Sequence, residues 1–197
     1  GMTTFIMLFV GGAKITHMIG LGACGSVLAV MLAISKPYRL KRILSFLDPW
    51  KNPSEEGYHI IQSLYALGSG GLIGVGIGQS RQKFFYLPEP QTDFIFSVIG
   101  EELGFIGAAF VIIAFMFFIW RGYRTAMAAP DVFGKLMATG ITTLIALQFL
   151  INVAVVTASV PVTGMPLPFI SYGGSSLTIT MSQIGILLNI SRYAEVK

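Results

Sequence analysis

The sequence predicts an all-α, polytopic transmembrane protein with a long extracytoplasmic loop that contains an amphipathic or re-entrant helix. Three observations predict it. The 197 residues are 54% hydrophobic and 11% charged, where a soluble domain carries about 25% charged residues, and the mean hydropathy is +0.74. Several uncharged stretches approach the roughly 20 apolar residues needed to cross a bilayer. Finally, the polar chemistry is gathered into two of the connections between those stretches.

Taken in order, Phe5 to Val10 is too short to cross, and the chain opens at Gly1 without an initiator methionine or a basic leader region. Residues 3–12 are therefore expected to be the tail of a truncated span, not a signal peptide. Ile15 to Ile34 carries no formal charge beyond that of His17 and predicts a span over 15–35. Leu103–Trp120, Leu136–Val160 and Leu177–Ile190 are also uncharged and predict spans over 94–120, 134–160 and 174–191, the last extended by Gly173–Ser176. A single cysteine, Cys24, excludes an intrachain disulfide. The net charge of +4 lies in loops without a nucleic-acid module, so anionic lipid is the expected partner.

The connection from Lys36 to Asp93 holds seven of the thirteen basic and five of the nine acidic residues. Connections of this length are functional or disordered, and apolar and aromatic residues throughout this one argue against disorder. Within it, Ile60, Ile61, Leu64 and Leu67 recur at helical spacing, with Gln62, Ser63 and Ala66 between them. An amphipathic helix on or dipping into the membrane is expected over Tyr58–Leu67. The glycine-rich run Gly68–Gly78 matches a nucleotide loop only loosely and lacks a βαβ context, so a flexible, closely packed turn is expected.

Basic residues divide seven to six between the two faces of the membrane. The positive-inside rule discounts long loops, so the short-loop residues Arg121, Arg124 and Lys135 put their side in the cytoplasm and the long loop outside. The cluster Lys36, Arg39, Lys41 and Arg42 then opposes the rule, and such a cluster calls for an anionic ligand, phosphate foremost.

Asp93 stands where the chain re-enters the membrane. Partial desolvation at such a boundary makes a carboxylate a better base, although from spacing alone Thr92 or Asp93 reads first as a helix cap. Glu101 and Glu102 follow two turns further on and read as structural ion-pair partners. The second polar constellation is Pro161–Ser176, whose three prolines and three glycines exclude a regular helix. Irregular backbone at that depth is tolerated only when buried or lining a wet cavity. Ser171, Ser175 and Ser176 there are candidates to bind a ligand or to cap the next helix.

The strings SKPYRLKRILSFLDPW, QSLYALGSGGLIGVGIGQS, YLPEPQTDFIFSVIGEELGFIG and PLPFISYGGSS resemble, in order, the C-terminal half of the SEDS family (shape, elongation, division and sporulation), nearest its FtsW and SpoVE branch. Gly1 resembles the end of that family's Gln-Pro-Asp-Leu-Gly motif. The resemblance implies a ten-helix fold in the bacterial cytoplasmic membrane, of which about half is present, so that this fragment by itself is expected to be inactive. It also implies a peptidoglycan glycosyltransferase that polymerises lipid II during division, elongation or sporulation, with a class B penicillin-binding protein as partner.

On that resemblance Asp93 matches the essential loop aspartate and is expected to deprotonate the acceptor hydroxyl. Arg39, Arg42, Arg81 and Lys83 are expected to hold the leaving pyrophosphate, for which the arginine fork suits bidentate contact. Glu89 and the three serines complete the expected substrate-binding set. No dedicated metal-ligand cluster is present; a divalent cation bridging Asp93 or Glu89 to pyrophosphate stays open. Gln91 and Thr163 depart from the His and Lys often found in relatives, so neither counts as a proton carrier or a phosphate clamp. A lipid II flippase is the alternative, needing the basic groups without a base. A scaffold for a penicillin-binding protein is a second alternative.

Overall fold

The computed structural model describes residues 2–35, 46, 48–51, 56–80 and 91–194, and among these the chain is helical with no strand. In chain order the helices are α1 (Met2–Val10), α2 (Ile15–Ile34), α3 (Glu56–Ser69), α4 (Ile95–Ala128), α5 (Val132–Val156) and α6 (Gly174–Tyr193), with a 3-10 turn at Pro49–Lys51. Three of them, α2, α4 and α5, are long and apolar enough to cross a membrane.

The helix ends follow from local chemistry. At the end of α1, Gly12 takes φ 84°, and the N–H groups of Ala13 and Gly12 donate to the carbonyls of Leu8 (3.0 Å) and Phe9 (3.1 Å). That is the Schellman pattern, which satisfies carbonyls the last turn leaves free. α5 ends in the same way on a non-glycine residue. Ala158 has φ 53°, and Ser159 N–H reaches the Ala154 carbonyl at 2.7 Å. This cap stops α5 at Val156, short of the Val160 expected from hydropathy. α5 begins on Asp131, whose carboxylate accepts the Gly134 N–H at 2.8 Å as an N-cap.

The chain divides into two compact units, and α4, α5 and α6 each contribute one end to both. In the first unit, residues 1–40, 118–147 and 181–197, α1 packs on the early part of α5. A Cβ at Gly140 would lie 2.8 Å from the Met7 sulfur, so the small residue sets how close that side chain comes. Gly122 likewise fits against Thr142, and Tyr123 and Thr143 share a hydrogen bond of 2.9 Å between hydroxyls. Among the described side chains of α2 only Met18 is buried, while Ile19, Leu28 and Met31 are exposed. So much contiguous apolar surface has lipid or further helices as its surroundings, not water.

The second unit comprises residues 41–117 and 148–180. α3 packs here on the start of α4 along a seam of small residues. The Ser63 and Ser97 hydroxyls meet at 2.7 Å, Ser63 also bonds the Val156 carbonyl at 2.8 Å, and Gly70 lies directly on the Gly100 carbonyl. Small residues permit such close approach between helices in membranes. Ser63 and Ala66 do not form the polar face of α3; both are fully buried together with Ile60 and Ile61. Their small size decides this, because they mark the side where another helix comes close.

The glycine run meets a break in α4. Gly104 has φ 68° and ψ −168°, which a helix cannot contain. Four backbone groups released by the break pair with the run instead. Val75 and Gly76 N–H donate to the carbonyls of Glu101 and Glu102 (3.0 Å each), while Phe105 and Ile106 N–H donate to Gly71 (2.9 Å) and Leu72 (3.2 Å). The run is thus a closely packed turn, with positive φ at Gly71, Gly74, Gly76 and Gly78. Its tip exposes Ile73 and Ile77, each by 81%. Apolar tips this exposed have lipid or further helices as their surroundings, not water.

Candidate functional site

Both polar constellations fall in the second unit, where hydrogen bonds stitch residues 91–94 to residues 163–173. Tyr172 N–H donates to the Gln91 carbonyl at 2.8 Å. The buried Ser171 hydroxyl donates to the Thr92 carbonyl while accepting the Leu167 N–H at 2.7 Å. Asn152, from the last turns of α5, donates both amide protons: one to the Asp93 carbonyl (2.8 Å) and one to the Met165 carbonyl (2.7 Å).

The Asp93 carboxylate lies beside the proline-rich loop. A Cβ built on Gly164 would sit 3.3 Å from Asp93 Oδ2, and Gly164 takes φ 65°. Asp93 is half-buried, one residue before Phe94, whose carbonyl receives the Ser97 N–H at 3.0 Å as α4 begins. Phe94 is buried and stacks on His59 of α3 at 5.9 Å between ring centres. Below the second loop Phe115 stacks on Phe149 (4.2 Å) and reaches Phe169 (6.1 Å). Phe169 itself has φ 67°. A bulky residue in that region is strained and persists only where its surroundings fix it.

Of the expected site residues, Asp93 and the three serines lie in this region. Ser171 is turned inward and spends its hydroxyl on the loop. Ser175 is exposed and Ser176 half-buried in the first turn of α6, and neither hydroxyl hydrogen-bonds among the described residues, so they do not cap that helix. Arg39, Arg42, Arg81, Lys83 and Glu89 lie outside the described residues. Glu101 is buried and accepts the Ser80 hydroxyl. Among the described residues no three His, Cys, Asp or Glu side chains gather as metal ligands. Asn152 and Gly164 escaped the sequence reading. An asparagine in a long apolar helix was the available signal for the first, since polar residues inside membrane segments have partners or functions.

Gly164→Ala should impair whatever Asp93 does. The new methyl group would press on the carboxylate, and the left-handed backbone costs about 1–2 kcal/mol for a residue with a Cβ. A roughly tenfold or greater loss of activity with little change in protein level is expected, read from the activity of membranes prepared from cells expressing the variant.

The sequence profile of the FtsW, RodA and SpoVE family, described as cell cycle proteins, matches residues 1–196. The chain belongs to this family. It is 56% identical over 192 residues to stage V sporulation protein E of Bacillus subtilis (strain 168), covering 98% of this chain and 52% of that protein. It is 48% identical to a probable peptidoglycan glycosyltransferase FtsW of Geobacter sp. (strain M18), over 94% of this chain and 51% of the relative. Among solved structures, one of a peptidoglycan synthase complex that coordinates polymerization and crosslinking superposes with a TM-score of 0.74 at 29% identity, covering 99% of this chain and 54% of its counterpart. Thermus thermophilus rod shape determining protein RodA superposes at 0.58 and 26% identity, over 99% and 48% of the two chains. The chain thus spans about half the length of the relatives it matches. It is part of a multi-pass protein of the bacterial cytoplasmic membrane.

Proposed function

We propose that the protein is a peptidoglycan glycosyltransferase that polymerises lipid II, with Asp93 as general base. The supporting observation is the half-buried Asp93 carboxylate held against Gly164, on two loops joined by hydrogen bonds. In this reaction Asp93 takes the proton of the acceptor sugar hydroxyl. The oxygen then attacks the anomeric carbon of the donor, and the bond from that carbon to the pyrophosphate oxygen breaks with inversion, turning an α-linked donor into a β-1,4 link. Negative charge gathers on the departing lipid pyrophosphate, where positive groups stabilise it. On this reading the loops 36–93 and 161–174 face outward, and a transpeptidase of the penicillin-binding class receives the strands. Relatives named as FtsW glycosyltransferases and the similarity to a peptidoglycan synthase complex support it.

The test is full-length protein incubated with purified lipid II. Glycan strands are expected, and their absence across lipid and detergent conditions would point to the flippase or scaffold alternatives. Arg39, Arg42, Arg81 and Lys83 enter the proposal as the pyrophosphate clamp. If they bind bidentately, Arg→Lys at 39, 42 or 81 lowers turnover and Arg→Ala or Lys83→Ala weakens lipid II binding. Unchanged affinity and turnover in all these variants would remove the clamp.

A further inference from the structure

We infer that Asn152 is a positioning residue for the proposed reaction: it clasps the Asp93 loop to the Gly164 loop and so fixes where the carboxylate stands. The inference rests on the proposed role of Asp93. Asn152 is 1% exposed, and its two amide protons go to backbone carbonyls on the two loops, Asp93 at 2.8 Å and Met165 at 2.7 Å. Its orientation is fixed by chemistry, because exchanging the amide nitrogen and oxygen would set an acceptor against two acceptors. Its Oδ1 is buried and has no hydrogen-bond partner among the described residues. An unsatisfied buried oxygen is costly, so the side chain is poorly suited to stability alone. What it adds to the Tyr172–Gln91 and Ser171–Thr92 bonds is a direct tie between residues 93 and 165, one residue from the point where Gly164 meets the carboxylate.

The clasp uses main-chain oxygens, so it survives when the Asp93 side chain is changed. This separates positioning from chemistry. Asn152→Leu keeps the approximate volume and removes both bonds; Asn152→Asp puts a carboxylate oxygen where a donor is required. Loss of alignment acts on turnover more than on binding, and a misplacement near 1 Å costs up to about 10²-fold.

The experiment uses full-length protein and purified lipid II, with wild type, Asn152→Leu, Asn152→Asp and Asp93→Asn side by side. Both Asn152 variants should lower kcat by roughly 10- to 100-fold and leave KM close to the wild-type value, with some loss of thermal stability for Asn152→Leu and more for Asn152→Asp, because each leaves buried carbonyl oxygens without a donor. The second readout is oxidative crosslinking of Thr92→Cys to Met165→Cys, with native cysteines, Cys24 included, replaced by alanine. The crosslink should form readily with Asn152 present and fall several-fold in Asn152→Leu. Normal kcat in both Asn152 variants while Asp93→Asn is inactive would overturn the positioning role alone. An active Asp93→Asn would overturn the catalytic reading, and the crosslink then decides the clasp by itself: undiminished crosslinking in Asn152→Leu rejects it, whatever the activity.

Discussion

Asp93→Asn in the full-length protein lowers glycan polymerisation by roughly 10²- to 10⁴-fold, the usual contribution of a positioned general base, while the variant accumulates in the membrane at wild-type level. The substitution is nearly isosteric. The Asp93 interaction with Asn152 runs through the main-chain carbonyl and is untouched by the change. The Tyr172 bond to Gln91 and the Ser171 bond to Thr92 also use backbone oxygens, so the two loops stay joined. An amide can still accept hydrogen bonds at the start of a helix, which means that a capping role would survive while the negative charge and the base are lost. Strand length and yield from lipid II, resolved by gel, are the measurement. Near-normal synthesis would remove Asp93 from the chemistry.

The second large effect concerns stability. Gly74→Ala should sharply lower the stability of the folded protein, and Gly104→Ala should do the same from the opposite side of the contact. Gly74 has φ 90° and its Cβ would collide with the Glu102 carbonyl; Gly104 has φ 68° and its Cβ would collide with the Gly74 nitrogen. Neither obstacle is a flexible side chain that could swing away. Overpacking costs about 1–3 kcal/mol and the left-handed backbone about 1–2 kcal/mol more. A combined loss of about 2–5 kcal/mol takes much of the stability of a typical domain. Gly71→Ala is the control: its φ is 55° but its Cβ meets open space, so only the backbone cost applies. Thermal unfolding of the purified variants in detergent should rank Gly71→Ala well above the other two, and equal stability of all three would mean that the close contact at Gly104 carries little energy.

Membrane class and the all-helical character of the described residues were legible because they depend on composition over tens of residues. Helix ends were less so. α4 continues eight residues past Trp120 because a helix can leave lipid without ending, and Arg124 there lies over the Trp120 ring at 5.6 Å. The break at Gly104 was not legible at all, since a single glycine in an apolar run is ordinarily tolerated as helix. What converts it into a break is a partner about 30 residues upstream, and no local pattern records that pairing. The same holds for Ser63, whose polarity suggested an outward face until Ser97 and the Val156 carbonyl gave it partners. At the candidate site Asp93 was found through resemblance to a family, whereas Asn152, which ties the Asp93 carbonyl to the Met165 carbonyl, follows only from the three-dimensional arrangement.

The exchange of backbone partners at Gly104 also has a consequence for the order in which the chain can fold. Residues 71–76 leave the ribosome about 30 residues ahead of residues 101–106, and at ~5–20 residues per second that interval lasts about 2–6 s. During it, the amides of Val75 and Gly76 and the carbonyls of Gly71 and Leu72 await the groups they bond in the finished fold. Left unpaired in hydrocarbon, each would cost several kcal/mol, which disfavours entry of the glycine turn into lipid without α4. A nascent chain arrested before residue 101 should therefore leave the glycine turn accessible to water-soluble reagents, and protection of the turn in that chain would refute the coupling.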